Sequence, residues 1–186
     1  MSHDDTDRDF ARRLTWARSG DPRGFDELVA WIERPLVAFV RARGAEDWEG
    51  LANDVLVRAF RQIDQFEGGA VQFRAWVFRI ARNALIDERR RRGRRVDAVP
   101  TVPHELPDGP AGADPSVDVE QRERVEMLLA DLTDEQREVV LLRIVAGLGV
   151  EETAEVTGRR PGAVRTLQHR ALTRLRRNFS QRAVTR

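Results

Sequence analysis

The chain has 186 residues, enough for one ordinary domain or for two small ones with modest helical cores. Its formal net charge is only +1, and it contains no cysteine, which excludes disulfides, zinc fingers and thiol redox chemistry within the chain itself. No apolar run approaches the roughly 18 residues that a membrane span requires, and residues 1–9 are too acidic and polar for a signal peptide. We therefore expect a cytoplasmic protein with no membrane insertion.

Charge is distributed unevenly along the chain. All 32 basic residues are arginine, and nine of them lie between Gly158 and Arg186, a stretch without any acidic residue. A basic end of this kind is typical of a protein that binds a polyanion such as nucleic acid.

Apolar residues recur at helical spacing through the first half of the chain, and no strand-like alternation competes with them. Residues 1–9 have too little apolar surface to order themselves, so we expect a flexible tail there. The pattern then predicts helices over about 10–20, 22–43 and 47–63. Pro35 should kink or interrupt the second of them.

The stretch from Phe73 to Arg95 combines an apolar stripe with an unusual basic side. The predicted stripe consists of Phe73, Val77, Ile80 and Ala84, flanked by Trp76 and Ala81. The other side interleaves Arg74, Arg79, Arg82 and Arg89 with Phe78, Asn83 and Leu85. Guanidinium groups suit phosphates, and aromatic or amide groups between them suit unpaired bases, so this helix is typical of one that binds opened DNA. A core helix with a solvated face is the alternative.

A helix-turn-helix pattern follows in the second half of the chain. Thr133 and Gln136 form a T-x-x-Q capping box at the start of one helix. Further on, a small residue, a turn glycine and an apolar anchor occur in the required register at Ala154, Gly158 and Val164. The buried stripe would continue through Leu167, Ala171 and Leu175. Such patterns also arise by chance, and the capping box and helix that precede this one favour a helix-turn-helix here.

Two runs of residues resemble a known family. F-R-A-W-V-F-R-I-A-R-N-x-x-I-D-x-x-R-R, from Phe73 to Arg90, resembles the region of bacterial sigma factors that recognises and melts the −10 promoter element, in the small extracytoplasmic-function (ECF) group. L-A-N-D-V-L-V-R-A-F, from Leu51 to Phe60, resembles the sigma segment that docks on the clamp helices of RNA polymerase. The helix-turn-helix follows these two runs in the chain at the spacing found in sigma factors.

The resemblance implies an all-α fold of two small helical domains joined by a flexible linker. A sigma region 2 domain of four helices would span residues 10–92, after the tail at 1–9. A linker rich in proline, glycine and acidic residues would span 93–116. A sigma region 4 helix-turn-helix domain would follow at 117–180, with a short tail at 181–186.

The resemblance also implies three groups of site residues. Contact with the polymerase core would involve Asn53, Asp54, Leu56 and Arg58. Binding of the melted −10 element would involve Phe66, Arg74, Arg79, Arg82, Asn83 and Arg89, with Phe66 and Asn83 holding a flipped base. Binding of the −35 element would involve Arg159, Arg160, Arg165, Thr166, His169, Arg170 and Arg174. Of these, Arg165 and Thr166 are the expected readers of base edges, and the other arginines are expected mostly on phosphates.

The function implied is that of a sigma factor, associated with the nucleoid during transcription. Its partners would be the polymerase core, through the clamp helices and the flap, promoter DNA and an anti-sigma factor. We expect no enzyme activity, cofactor or metal, because the three histidines lie in a tail, a linker and the recognition helix. Two alternatives stay open: a sigma-like decoy that binds an anti-sigma factor without DNA, and a plain helix-turn-helix regulator. Binding to core polymerase distinguishes a sigma factor from both alternatives.

Overall fold

A computed structural model describes residues 3–96 and 119–184, which form eight α-helices and one 3₁₀ turn, with no strand in these two ranges. The first four helices, here called the N-terminal bundle, are α1 (His3–Arg18), α2 (Pro22–Ala42), α3 (Trp48–Arg61) and α4 (Ala70–Val96), with the 3₁₀ turn at Ile63–Gln65. The last four, the C-terminal bundle, are α5 (Val119–Ala130), α6 (Asp134–Ile144), α7 (Val150–Thr157) and α8 (Pro161–Val184). The expected all-α class is confirmed.

Side chains cap several of these helices. The carboxylate of Asp21 accepts from the Arg23 amide at the start of α2, and that of Asp47 accepts from the Gly50 amide at the start of α3. The predicted capping box is present in α6, with Thr133 Oγ1 accepting from the Gln136 amide at 3.3 Å and Gln136 Oε1 accepting from the Thr133 amide at 3.2 Å.

The ends of the two bundles differ from the sequence expectation in three places. Helix α1 begins at His3, so the flexible tail expected at residues 1–9 is wrong from residue 3 onward. Helix α4 continues to Val96, so the first residues of the linker expected at 93–116 are helical, and the remainder lies outside the described residues. Helix α8 reaches Val184, so most of the tail expected at 181–186 is helical too.

Helix α2 passes through Pro35 without ending, so the interruption considered for this position does not occur. Proline removes one helical hydrogen bond, and burial of the surrounding face outweighs that loss. Ile32, Leu36 and Phe39 on that face are fully buried.

The core of the N-terminal bundle is aromatic. The Phe73 ring lies 5.3 Å from that of Phe10 and 5.4 Å from that of Phe66, measured between centroids, and Trp31 and Trp76 surround them. The predicted stripe of α4 is buried, except that Ile80 is only half-buried.

Phe78 and Leu85 are also buried, although we expected them on the basic side of α4. The Phe78 ring packs against Phe39 at 5.2 Å between centroids. The expectation was wrong because α4 contacts α1, α2 and α3 as well as α7 of the C-terminal bundle. A helix with neighbours on several sides buries more than one stripe.

The two bundles pack against each other. Ala154 and Val164 lie together in a small core of the C-terminal bundle, as the helix-turn-helix register predicts, and Val139 of α6 joins them. Five other buried residues of this bundle instead join the core of the N-terminal bundle: Leu141, Leu142, Ala146, Leu148 and Val156. The interface between the bundles is therefore apolar at its centre.

Candidate nucleic-acid interface

The six residues predicted to bind the melted −10 element are divided by the structure into different environments. Arg79 and Asn83 are exposed on α4, one helical turn apart. Arg74, Arg82 and Arg89 are half-buried, and each contacts the C-terminal bundle. Phe66 is buried in the aromatic core.

Arg74 is held between the two bundles. Its Nη1 donates to the carbonyl of Ala146 at 3.1 Å, and its guanidinium carbon lies 4.5 Å from the centroid of the Trp31 ring. Burial lowers the pKa of Arg74, but a guanidinium keeps its charge at any physiological pH. The cation–π contact with Trp31 helps to compensate this buried charge.

Glu138 of α6 binds two arginines of the N-terminal bundle. Its Oε1 lies 3.1 Å from Arg82 Nε and 3.4 Å from Arg43 Nη2, and only 5% of Glu138 is exposed. Burial lowers the pKa of Arg43, and the charge of Glu138 acts in the opposite direction. Because a buried charge without a partner is costly, these contacts tie the two bundles together. The sequence showed no sign of this role for Arg43.

Asp134, at the start of α6, forms the outer part of the same contact. Its Oδ2 lies 2.7 Å from Arg89 Nη1, and Arg89 Nη2 donates to the carbonyl of Arg43 at 2.9 Å. Partial burial works to raise the pKa of Asp134, but the positive charges of Arg89 and Arg43 lower it overall. Glu138 and Asp134 thus form ion pairs with two of the arginines predicted to bind DNA, Arg82 and Arg89.

A cavity of about 350 Å³ lies beside Phe66, between α4 and α7. Phe66, Trp76 and Arg79 line it from the N-terminal bundle, and Glu152 and Glu155 line it from α7. Phe66 is itself only 7% exposed, and its ring lies 5.2 Å from that of Trp76. Asn83 does not line this cavity, so the structure brings Phe66 together with Arg79 and not with Asn83.

The helix-turn-helix is formed by α7 and α8. Gly158 ends α7 with a φ of +69°, a left-handed conformation that favours glycine. Thr157 Oγ1 donates to the Thr153 carbonyl at 2.7 Å, so the buried hydroxyl at the end of α7 is satisfied within the helix. Val164 is fully buried where the motif requires an apolar anchor.

Six of the seven residues predicted to bind the −35 element are exposed along α8 and the turn before it. They are Arg160, Arg165, Thr166, His169, Arg170 and Arg174. The seventh, Arg159, is half-buried, and its Nη2 lies 2.8 Å from Glu135 Oε1. Arg165 lies 3.0 Å from Glu151 in an exposed pair, which is weak and can be exchanged for another anion.

A basic groove of about 600 Å³ runs beside this row, between α6 and α8. Its lining residues include His169, Arg170, Arg174, Arg177 and Asn178. Arginines on one side of a groove suit a phosphate backbone. The helical spacing of these arginines in the sequence is the signal that could have predicted the groove.

Three of the four residues predicted to contact core polymerase are exposed on α3. These are Asn53, Asp54 and Arg58. Leu56, by contrast, is only 8% exposed and belongs to the core, because α2 and α4 cover its face of α3.

An apolar patch at this end of α3 was not expected from the sequence. Phe25 of α2 is 44% exposed, and its ring lies 4.2 Å from that of Phe60. Val57 is also exposed. Phe25 fitted the apolar pattern of α2, so its exposure could not be read from spacing alone.

Within the two described ranges, no group of three or more histidine, aspartate or glutamate side chains is placed to hold a metal ion. None of the helices in the same ranges combines the length and apolar character that crossing a bilayer requires.

Comparison with known proteins defines the class of this chain. Residues 25–95 match the family described as Sigma-70 region 2, and residues 122–175 match Sigma-70, region 4. ECF RNA polymerase sigma factor ShbA of Streptomyces griseus is 32% identical over 174 residues, covering 86% of this chain and 90% of that protein. ECF RNA polymerase sigma factor SigD of Mycobacterium bovis is 32% identical over 167 residues, covering 86% of this chain and 79% of that protein.

Solved structures agree with these relatives. The sigma factor RpoE of Bartonella quintana, in complex with the anti-sigma factor NepR, matches with a TM-score of 0.69 and 28% identity, covering 84% of this chain and 96% of that chain. CnrH, in complex with the cytosolic domain of CnrY, matches with a TM-score of 0.65 and 27% identity, covering 95% of this chain and 98% of that chain. The chain belongs to the sigma-70 family, and within it to the ECF group of RNA polymerase sigma factors.

Proposed function

We propose that this ECF sigma factor binds core RNA polymerase in the cytoplasm and directs it to promoters through the −10 and −35 elements. The observation that carries the proposal is the row of exposed arginines on α8, present in one chain of this family with a face of α4 that exposes Arg79 and Asn83. The exposed patch on α3 adds a third surface, suited to a protein partner.

The −35 element is assigned to α8. Arg165 and Thr166 lie exposed near the start of this helix, where the side chains of a recognition helix reach base edges in the major groove. Arginine can bind O6 and N7 of guanine with two hydrogen bonds, which gives about 1–3 kcal/mol of discrimination. Arg170 and Arg174, further along α8, would bind phosphates and set the register.

The −10 element is assigned to the face of α4 that carries Arg79 and Asn83. The cavity beside Phe66 offers two aromatic walls, Phe66 and Trp76, and a cation at Arg79, a combination that suits an unpaired base and its phosphate. Asn83 supplies an exposed amide that could hydrogen-bond a neighbouring base. We therefore propose that Phe66 and Arg79 hold the same unpaired base, and not Phe66 and Asn83.

DNA binding at α4 requires the two bundles to separate. Arg74, Arg82 and Arg89 donate to Ala146, Glu138 and Asp134, and Glu152 and Glu155 line the cavity beside Phe66. Carboxylates in these positions would repel DNA phosphates. We therefore assign the packed arrangement to the free or inhibited protein and a separated arrangement to the polymerase complex.

Core polymerase is assigned to α3. Asn53, Asp54 and Arg58 are exposed there, and Phe25, Val57 and Phe60 supply an apolar patch at the same end. Exposed apolar patches bordered by polar residues are typical of protein contacts. Leu56 would support this surface from within the core and would not contact the partner directly.

We further propose that an anti-sigma factor binds this protein. The support comes from the RpoE structure, in which a sigma factor is bound to the anti-sigma factor NepR, together with the packed arrangement of the bundles described above. An inhibitor that binds both bundles would stabilise that arrangement. This gives a route to regulation without any change in the DNA-binding residues.

A binding titration tests the proposed function. Fluorescently labelled protein is titrated with core polymerase that lacks any sigma factor, and we expect saturable binding that Arg58→Glu weakens. Thr15→Glu, a charge change at an exposed position of α1, is the control and should bind normally. A wild-type chain that does not bind core polymerase would point instead to a decoy or to a plain helix-turn-helix regulator.

A further inference from the structure

The loop between α3 and α4, residues 62–69, carries Phe66 and borders the cavity that we assign to an unpaired base. Helix α1 contacts this loop at several points. This helix precedes residue 25, where the match to Sigma-70 region 2 begins, and nothing so far gives it a function.

Helix α1 holds the loop through a charged side chain near its own end. Arg18 Nη2 donates to the carbonyl of Phe66, and Arg18 Nε donates to the carbonyl of Ile63 at 3.3 Å. The planar guanidinium can reach two carbonyls at once, and hydrogen bonds from a charged donor are stronger than neutral ones. Arg18 therefore holds the loop at the first residue of the 3₁₀ turn and at the residue that follows the turn.

Two further residues of α1 extend this contact. Asp7 Oδ1 accepts from the amide of Ala70 at 3.3 Å, so it caps the first turn of α4 where the loop ends. The Phe10 ring lies 6.3 Å from that of Phe66, nearly perpendicular to it, and Phe10 is only 3% exposed. The beginning, the aromatic residue and the end of the loop are all held by one helix.

The loop needs such external support. Gly68 has a φ of +136°, a conformation that side-chain-bearing residues rarely adopt, and Gly69 follows directly. Two adjacent glycines carry a large entropy cost when they are ordered. A residue that hydrogen-bonds the backbone before these glycines lowers the freedom of the whole loop.

We propose that α1 is a positioning element for the −10 pocket, and that Arg18 is the positioning residue that sets Phe66 in place through the backbone of the loop. Arg18 itself does not contact DNA. The inference rests on the proposed function, because it assigns the loop its role in holding an unpaired base.

The first test measures the loop without any DNA. Amide hydrogen exchange is followed at Gln65 and Phe66, whose amides donate to Gln62 and Ile63 within the turn. We expect Arg18→Gln to speed exchange there about tenfold, as the loss of hydrogen bonds from a charged donor should allow. Arg18→Lys should recover part of the protection, because an ammonium group can still donate to a carbonyl.

Arg12→Gln is the matched control. Arg12 lies on the same helix, pairs with Asp9 at 2.9 Å and stacks on Trp16, so this change removes the same charge away from the loop. Its exchange rates in the loop should equal those of the wild type. Equal rates in Arg18→Gln and the wild type would overturn the claim that Arg18 holds the loop.

The second test measures the consequence for DNA. The probe is a single-stranded non-template oligonucleotide that spans the −10 element of a promoter selected by the wild-type holoenzyme. We expect holoenzyme with Arg18→Gln to bind this probe about tenfold more weakly, with Arg18→Lys between it and the wild type. The affinity of all variants for core polymerase should stay the same.

Unchanged affinity for the probe, with faster exchange in the loop, would overturn the positioning role. Equal losses in polymerase and probe binding would overturn it as well, because they would show a general structural defect. If the wild-type holoenzyme itself bound no probe, the proposed function would fail and the positioning role with it, while the exchange rates would still decide whether Arg18 holds the loop.

Discussion

Asn83 and Phe66 belong to one predicted site but differ in how far they are buried. Asn83 is exposed on α4, so its replacement by alanine should leave the fold unchanged. Phe66 is buried among Phe10, Phe73 and Trp76, and truncation of such a ring typically costs about 3–5 kcal/mol. Only the first substitution can separate DNA binding from stability.

Asn83→Ala is therefore the first prediction. We expect promoter opening to fall, since the lost amide would no longer hydrogen-bond an unpaired base, while binding to core polymerase stays unchanged. Permanganate reactivity of unpaired thymines measures the opening, and a filter or anisotropy assay measures polymerase binding. Normal opening would remove Asn83 from the site.

The second prediction concerns specificity at α8. Arg165→Ala should reduce the preference for one base pair of the −35 element by about 1–3 kcal/mol, since arginine reads guanine through two hydrogen bonds. Arg174→Ala, the comparison variant, should weaken binding to all sequences alike, because a phosphate contact carries no base information. Binding to a set of single-base-pair variants of the −35 duplex distinguishes the two patterns. A uniform loss in Arg165→Ala would place Arg165 on phosphate.

At the scale of elements, the turn of the helix-turn-helix gives a stability prediction. Gly158 has a φ of +69° with no atom near the position of an added Cβ, so the cost of alanine there is one of backbone conformation alone. We expect Gly158→Ala to lower the free energy of unfolding by about 1–2 kcal/mol. Gly162, in the first turn of α8, also has open space but no positive φ, and Gly162→Ala should be neutral or slightly stabilising. Thermal or urea unfolding measures both, and equal effects would contradict the left-handed turn.

Local signals explain why most elements could be predicted from the sequence. The capping box at Thr133 and the glycine at position 158 involve residues a few positions apart, and both were found as expected. Periodicity alone failed on α4, where Phe78 and Leu85 are buried, because it assumes one buried side and α4 has neighbours on several. It also failed on α1, where Asp7 lies in a polar stretch and is held by its hydrogen bond from the amide of Ala70.

At the scale of the whole molecule, the contact between the bundles could not be predicted from the sequence. It depends on ion pairs between residues far apart in the chain, such as Arg82 with Glu138 and Arg89 with Asp134. No periodicity marks such pairs. Their consequence is that two of the arginines expected on the −10 element, Arg82 and Arg89, are bound within the protein itself.

Asp134→Arg should release this contact. The new charge would face Arg89 and Arg43, and we expect the distance between fluorophores on the two bundles to increase and the affinity for −10 DNA to rise roughly threefold. Glu135→Arg is the control, because it makes the same charge change one residue away and breaks a pair with Arg159 of the same bundle. An equal gain in both variants would show a general effect of added positive charge.

The contact should also weaken in acid. The folded protein lowers the pKa of Asp134 below its usual value of 3.8, so the contribution of this carboxylate is complete above that value and is lost as the pH falls through the lower, folded value. The interbundle distance, followed by energy transfer on acidification, should show this step. The step should be absent in Asp134→Asn, and circular dichroism distinguishes it from unfolding. A step of the same size in Asp134→Asn would assign it to other groups.

Transcription from defined start sites is the most direct measurement. Core polymerase without a sigma factor is mixed with the purified chain and a promoter library of randomised sequence, and the transcripts are mapped at their 5′ ends. We predict initiation at a discrete set of sites that share −10 and −35 sequences, with less initiation when Asn83 or Arg165 is replaced by alanine. Initiation no different from that of core polymerase alone would contradict the proposed function.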